Sequence, residues 1–343
     1  MNIGDLKQRQ SLPLEMKILK SIRTIEDFYD QNDGDIYISR GGVDSAVLSW
    51  LASQSGRKDI ENVCVASVEP PANIKFNKET GATLLKSGGT MNVIKKYGYP
   101  LISKDVAMKI SRYKNSKHEW AKERRLKGYL GKNGKWLYDS RIPLKYQFLI
   151  YAPFELSEKC CDFTKKKPLK QFEKLTNKKP VTGELAEESQ LRKREYLKHG
   201  CIMNDKKRIK CTPLGFWTDQ DIKKAILKYN IPYPKEIYGD IKEDEQGNLY
   251  FTGEKRTGCT ICGFGFLQDE NRFERLKKRN RYQYDYMFNG GEWVRKNKYR
   301  WVKFRPNSIP IWSNLYWQPT NKGYGYKYPV NYILEGLRLK KGI

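Results

Sequence analysis

The spacing of apolar residues changes period repeatedly along the first third of the chain. Across residues 14–30, Met16, Ile18, Leu19, Ile22 and Ile25 recur near the helical repeat and predict an amphipathic helix. The polar stretch QNDGD reads as a turn. IYIS (36–39) follows as a short apolar strand, DSAVLSWLASQSG (44–56) as a helix with Val47, Leu48 and Leu51 facing a core, and NVCVASV (62–68) as a second buried strand. Apolar strands separated by a loop and a helix predict a parallel α/β sheet. Residues 88–113 continue the theme, with TMNVIKKYG as helix, YPLISKD extended and VAMKISRY as helix. KPVTGELAEES (179–189) reads as a strand leaving into a polar loop and then a helix. Thr218 is placed to N-cap a helix, with Asp221 three residues on in a capping-box arrangement. That helix runs through Ile222, Ala225, Ile226 and Leu227 and stops before Ile231-Pro232. KEDEQGNLYF (242–251) reads as a hairpin turning at Gly247-Asn248. No internal repeat is found.

Composition narrows the class. The chain has 343 residues and 38% hydrophobic content, enough for one large domain or two ordinary ones. No apolar run approaches membrane-spanning length, and the N-terminus has no apolar signal segment, so no membrane association and a cytoplasmic location are expected. Seven cysteines, an odd number, argue against a secreted disulfide scaffold. Lys and Arg total 66 against 39 Asp and Glu, a formal charge of +27. Such an excess attracts polyanions and points to nucleic acid, DNA or RNA, as a partner. The alternative is a basic surface that draws only small anions. Residues 109–135 hold ten Lys/Arg and two acidic residues, with Trp120, Tyr129 and, just beyond, Trp136 among them. They read as a charged helix plus a Gly/Asn-rich turn, either a solvated insertion or a phosphate-backbone patch. Residues 272–305 hold twelve Lys/Arg against three acidic residues, with YQYDYMF and EWVRKNKYRWVKF suggesting helix or strand with aromatic anchors. The remaining Tyr-, Gly- and Pro-rich tail reads as an irregular wrap and a short helix.

Two stretches carry chemistry. In YISRGGVDSAVLSW, a strand passes through Ser39, Arg40, Gly41, Gly42, Val43, Asp44 and Ser45 into a helix. This is neither a Walker A loop nor a dinucleotide fingerprint. It nevertheless has the makings of a phosphate cradle: glycines let backbone N–H groups approach an anion, and the helix start adds donors and a positive dipole end. Ser39 and Ser45 offer hydroxyls, Arg40 a phosphate contact, and Asp44 a means to orient the loop or hold Mg²⁺. The bland alternative is a tight strand-to-helix turn capped by Ser and Asp. The second stretch is RTGCTICGFG, where Gly258 and Gly263 flank Cys259 and Cys262. With the adjacent pair Cys160 and Cys161 it supplies four thiols, which permits zinc or iron–sulfur. Cys64 lies in an apolar strand and reads as a core thiol, while Cys201 and Cys211 are ambiguous.

The 39–45 loop resembles the PP-loop of the ATP pyrophosphatase and phosphoadenosine-phosphosulfate (PAPS) reductase superfamily, Ser-Gly-Gly-Lys-Asp-Ser. Arg40 is inserted where that form has its first glycine, and Val43 stands where it has lysine. VTGELAEESQLRKRE resembles the family segment Thr-Gly-x-Arg-x-x-Glu-Ser-x-x-Arg, through Thr182, Gly183, Glu187, Glu188, Ser189 and Arg192, with the usual arginine replaced around Glu184. PLGFWTDQDIKKAILKYNIPYPKEIY resembles the family's Pro-Leu…Trp-Thr helix and the Ile-Pro-Tyr segment after it. The likeness spans about residues 35–268. It implies a Rossmann-like parallel sheet of the adenine nucleotide alpha hydrolase type, preceded by a helical segment (1–34), carrying a basic insertion near 109–135, and followed by a basic, aromatic-rich extension (269–343).

CCDFTKKKPL and TGCTICGFG are similar to the [4Fe–4S] ligand pattern of assimilatory adenylylsulfate reductases and of the superfamily's DNA phosphorothioation protein. The resemblance implies a [4Fe–4S] cluster on Cys160, Cys161, Cys259 and Cys262, with Lys165 near it and near the substrate's negative end. It further implies ATP or a related adenine nucleotide, with Mg²⁺, on Ser39, Arg40, Gly41, Gly42, Asp44, Ser45 and Gly183, and catalytic roles for Asp44, Lys165, Glu188 and Arg192. In the sulfonucleotide reductases a nucleophilic cysteine lies near the C-terminus in Glu-Cys-Gly-x-His, whereas here no cysteine follows Cys262 and no histidine follows His199. The expected function is therefore adenylyl-type activation of a nucleic-acid group for sulfur transfer, with a sulfur-donor protein such as a cysteine desulfurase as partner and homo-oligomerisation left open. The alternatives are an APS/PAPS reductase and a non-catalytic nucleotide- and nucleic-acid-binding protein.

Overall fold

In a computed structural model, the described residues are 1–57, 59–88, 90–205, 208–255, 258–259, 262–264, 266–267, 272–281, 284–285 and 327–339. The chain forms two compact units, Met1–Ser87 with Lys167–Cys259, and Gly88–Lys166 with Thr260–Ile343.

The first unit is built on a six-stranded sheet. Its elements in chain order are α1 (Ile3–Gln10), α2 (Leu14–Asp30), β1 (Ile36–Arg40), α3 (Val43–Gln54), β2 (Glu61–Val65), α4 (Pro71–Glu79), β3 (Thr83–Leu85), α5 (Lys167–Thr176), β4 (Lys179–Thr182), α6 (Gln190–His199), β5 (Ile202–Asp205), β6 (Arg208–Cys211), α7 (Asp219–Tyr229), α8 (Lys235–Tyr238), β7 (Ile241–Glu243) and β8 (Leu249–Phe251). The sheet order is β3-β2-β1-β4-β6-β5. Only the edge strand β5 runs antiparallel to its neighbour. β1 is buried on both faces, as a central parallel strand must be. Ile36 and Ile38 join α2, α3 and α7 in the main core with Val47, Leu48, Leu51, Ile222 and Ile226. Tyr37 points the other way, packs edge-on against Phe172 of α5 at 5.1 Å and donates its hydroxyl to Glu173 at 2.8 Å. This is the α/β, PP-loop type of sheet that the sequence predicts.

Local signals place several elements well. α2 spans the predicted residues, but Ile18, Ile25 and Phe28 form its buried stripe while Met16 and Leu19 face solvent. Thr218 and Asp221 form the capping box of α7. The Asp221 carboxylate also takes the buried Lys17 ammonium at 2.6 Å, which ties α2 to α7. Trp217 is wholly buried and donates to Ser21 Oγ at 2.9 Å. Leu227, on the same helix, is exposed. β7 and β8 form the expected antiparallel hairpin.

The second unit has its own core, centred on Ile94, Leu101, Ile102, Ile110, Leu149 and Ile333. It contains helices at Thr90–Tyr97, Lys104–Asn115, Glu119–Lys127, Arg272–Arg279 and Lys327–Leu339. The segment read as a Gly/Asn-rich turn contains a small hairpin, Tyr129–Leu130 against Trp136–Leu137. YQYDYMF (282–288) and EWVRKNKYRWVKF (292–304) lie largely or wholly outside the described residues. Among the described residues no helix is long and apolar enough to cross a membrane.

Candidate functional site

The site takes shape where the sheet changes direction. β1 lies between β2 and β4, so its carboxyl end is the point from which connections leave to opposite sides, where open α/β sheets bind ligands. Ser39 is in register with Thr182, so the turns leaving β1 and β4 are level. β1 ends at Arg40, which makes Arg40 the last strand residue; Gly41 and Gly42 turn, and α3 starts at Val43. Val43 is buried in the core, so the position that carries lysine in the PP-loop pattern here anchors the helix. Gly183 closes the other side. A Cβ there would stand 3.1 Å from Asp44 C and Ser45 N, so the turn after β4 presses its backbone onto the first turn of α3. The fold thus gathers Ser39, Arg40, Gly41, Gly42, Asp44, Ser45 and Gly183 at one edge.

Hydroxyl groups occupy the cradle's donors. Gly41 N–H donates to Ser45 Oγ at 2.8 Å, and Ser45 Oγ donates to Gly42 O at 2.7 Å. Val43 N–H donates to the Tyr238 hydroxyl at 3.2 Å. Phosphate oxygens favour such donors at a helix start, where the dipole adds to the attraction. Asp44 sits half-buried in that first turn.

Arg40 faces away from the turn. The residue is 5% exposed, and its guanidinium donates to Asn77 Oδ1 at 3.0 Å and Thr80 Oγ1 at 3.1 Å and lies 5.5 Å above the Phe76 ring. Burial lowers its pKa to about 10. Asn77, wholly buried, bridges outward through its amide to Gly41 O at 3.2 Å and Asn73 O at 2.8 Å. Asn73 in turn donates to Glu69 Oε2 at 3.1 Å. The Glu69 carboxylate is buried, and its Oε1 would lie 3.6 Å from a Cβ on Gly41. Asn77, Glu69 and Tyr238 were not legible as site residues, because nothing in their local pattern marks them.

The segment after β4 forms a small, open charged cleft lined in part by Glu184, Arg192, Glu195, His199 and Lys210. Ser189 caps α6 by accepting from Arg192 N–H at 3.2 Å. Glu188 accepts from Leu185 N–H at 3.3 Å and pairs with Arg192. Lys210, 3% exposed, is held by Glu184 and Glu195, each at 3.0 Å. Burial alone would raise the Glu184 pKa, but Lys210 and Arg192 outweigh it and the carboxyl is held below its ordinary value. Glu187 differs: burial, reinforced by Asp219 and Asp221, raises its pKa.

The cysteines are distributed. Cys160 and Cys161 sit in the single turn Lys159–Cys161, which runs into a π-helical stretch, Asp162–Lys166, where Thr164 Oγ1 donates to Cys160 O at 2.7 Å. Lys165 is exposed in that stretch. These residues and Cys262 belong to the second unit, and Cys259 to the first. Among the described residues no group of three or more His, Cys, Asp or Glu is arranged to hold a metal ion. Cys211 is fully buried and its pKa is raised by burial. Burial likewise pushes Cys201 up to about 11.

The sequence profile of the phosphoadenosine phosphosulfate reductase domain matches residues 36–263, from the first residue of β1 to beyond the second cysteine pair. The chain belongs to the PAPS reductase domain family. A match that begins on β1 takes in the glycine turn, Gly183 and the Glu188–Arg192 segment together. Among solved structures, the phosphoadenylyl-sulfate (PAPS) reductase from Candida auris, in a phosphate complex, is 13% identical, with 68% of this chain and 90% of that chain covered at a TM-score of 0.36. Among curated proteins, none matches the chain.

Proposed function

We propose that this protein binds an adenine sulfonucleotide (APS or PAPS) at the carboxyl edge of β1 and β4 and acts as a sulfonucleotide reductase. The observation that carries this reading is the family match over residues 36–263, which brackets the glycine turn and Gly183. Gly41 and Val43 N–H would exchange their hydroxyl acceptors for phosphate oxygens, and the N-terminus of α3 would stabilise the charge. Glu188 would hold Arg192 oriented toward the anionic end of the substrate.

The reaction requires a thiolate. It attacks the sulfate sulfur, an S–S bond forms, the S–O bond to phosphate breaks, and the nucleotide leaves with the electron pair. A second thiol, from a dithiol protein reductant, then attacks the S-sulfonate at the cysteine sulfur, forming a disulfide and releasing sulfite. Burial makes Cys201 and Cys211 poor thiolates. An attacking thiol of this chain is therefore sought among the half-exposed Cys160, Cys161, Cys259 and Cys262. The same four are proposed, from the resemblance of their pattern to the family's iron–sulfur ligands, as ligands of a [4Fe–4S] cluster; iron and labile sulfide analysis of anaerobically purified protein decides between the two uses.

A second reading is favoured by the +27 charge. Here ATP with Mg²⁺, oriented by Asp44, adenylylates a nucleic-acid group that then receives sulfur from a donor protein such as a cysteine desulfurase. One experiment separates the readings: anaerobic incubation with APS or PAPS and reduced thioredoxin, alongside ATP with DNA or RNA. Sulfite release supports the reductase. Pyrophosphate release only with ATP and polynucleotide overturns it in favour of the second reading.

A further inference from the structure

The hairpin at 129–137 displays side chains that a protein core would ordinarily hide. Leu130 pairs with Trp136 across the ladder, and Tyr138 follows Trp136 by two residues, so the strand repeat puts all three on one face. They are 59%, 54% and 51% exposed. The Trp136 and Tyr138 rings are near parallel, 13° apart with centroids at 6.5 Å, and Arg141 lies 4.2 Å above the Tyr138 ring. Trp120, on the preceding helix, is 66% exposed beside His118.

The display is held in place. Gly131 N–H donates to Lys135 O at 2.8 Å, closing the turn, and Gly134 adopts φ +72°. Arg124 stacks 3.6 Å from the opposite-facing Tyr129 ring and donates to Ser140 Oγ at 3.2 Å. Arg125 donates to Ser140 O at 2.9 Å, and its own carbonyl accepts from Ile142 N–H at 2.7 Å. The hairpin is thereby fixed to the Glu119–Lys127 helix.

The charge around it has one sign. Residues 117–145 contain nine Lys/Arg and three acidic residues. Glu119 and Glu123 are spent within the helix on Lys122 and Lys127. Around the turn this leaves Lys132, Lys135, Arg141 and Lys145 against Asp139.

We infer that this hairpin is a stacking platform for single-stranded nucleic acid: Trp136 and Tyr138 take base faces, and Lys132, Lys135 and Arg141 take the phosphates. Flat, exposed aromatics among cations fit unpaired bases, because every base offers a π-face and a duplex hides its own. An anionic membrane would also meet the charge, but near-parallel rings held over a tight turn favour stacking. The inference stands on the hairpin alone and does not depend on the nucleotide reading.

The test is fluorescence anisotropy of the full chain with a labelled 20-nucleotide single strand, an unlabelled duplex of the same sequence as competitor, and phosphatidylserine vesicles in parallel. Trp136→Ala with Tyr138→Ala should weaken single-strand binding by roughly ten- to a hundredfold at fixed salt, with little change in salt dependence. Lys132→Glu with Lys135→Glu should instead flatten the slope of log affinity against log salt by more than one. Trp136→Phe with Tyr138→Phe keeps flat rings and should retain most of the affinity, which guards against a folding defect. Unchanged single-strand affinity in the alanine pair overturns the inference. So does a duplex that competes as well as the single strand, or binding confined to vesicles.

Discussion

The glycine turn read from the sequence as an anion cradle and the cysteine set as a metal centre, and the fold treats the two differently. Every residue of the turn lies in one unit, at the end of one buried strand, and its partner Gly183 arrives on the neighbouring strand in register. The four cysteines are divided between units, and among the described residues no metal-holding group forms. A motif whose members are joined by a strand, a turn and a helix inherits its geometry from local structure. A motif assembled from two distant stretches inherits nothing local, so its spacing in sequence says little about its spacing in space.

The largest effect should come from the scaffold beneath the turn. Asp221 accepts from Thr218 N–H at 2.7 Å and from Lys17 Nζ at 2.6 Å, where Lys17 is 2% exposed. Asp221→Ala leaves a buried ammonium held, among the described residues, by the Gln10 carbonyl alone, and should cost about 3–5 kcal/mol of unfolding free energy in urea. A loss under about 1 kcal/mol would mean that the turn does not depend on this anchor. Next, Gly183→Val should push the turn after β4 away from the Asp44–Ser45 peptide and weaken binding of an adenine nucleotide by about a hundredfold, roughly 2.7 kcal/mol. Cys259→Ser and Cys262→Ser should leave that affinity within about threefold. Equal losses from both kinds of variant, measured by calorimetry, would show that turn and cysteines work as one site and would end the contrast.

The sequence displayed the parts of this fold that follow from neighbours along the chain. The capping box at Thr218 and Asp221, the β7–β8 hairpin and the helix after Gly42 all follow from residues a few positions apart. The second role of Asp221 did not, because Lys17 lies 204 residues away. Met16 and Leu19 read as core because periodicity cannot say which edge of a broad apolar stripe faces out. Arg40 read as a phosphate ligand because a loop arginine is ordinarily solvated; here Asn77 on α4 and Thr80 just beyond its end hold it inside. The hairpin at Tyr129 was hidden because two-residue strands leave no alternation to detect.

Asn77 offers a smaller perturbation of the same turn. Its side chain joins Arg40 Nε to Gly41 O and so fixes which way the Gly41 peptide faces. Asn77→Ala leaves the buried guanidinium short of an acceptor and should cost about 1–3 kcal/mol in stability. Nucleotide affinity should fall about tenfold, because the Gly41–Gly42 peptide of the turn loses its fixed direction. Asn77→Asp keeps the acceptor for Arg40 but loses the amide donor to Gly41, so it should restore stability more than affinity. Recovery of both together would make Asn77 purely structural.

The smallest effects are pH-dependent, and they set two neighbours of the cleft against each other. Lys210 and Arg192 lower the Glu184 pKa below 4.5 despite burial. The folded state then binds protons less readily than the unfolded chain, so this stabilisation is complete above pH 4.5 and is lost as pH falls further through the folded value. Burial, with Asp219 and Asp221, raises Glu187 above 4.5, so its charged form opposes folding at neutral pH and that opposition eases as pH falls toward 4.5. Both side chains are partly solvated, so each contribution should stay below about 1 kcal/mol. Urea denaturation between pH 3.5 and 7 should show Glu184→Gln flattening the acid loss and Glu187→Gln removing the gain on mild acidification. If both variants shifted the curve the same way, the Glu184–Lys210 pair would not hold its charge, and the cleft beside Gly183 would lose the fixed electrostatics on which an oriented Arg192 depends.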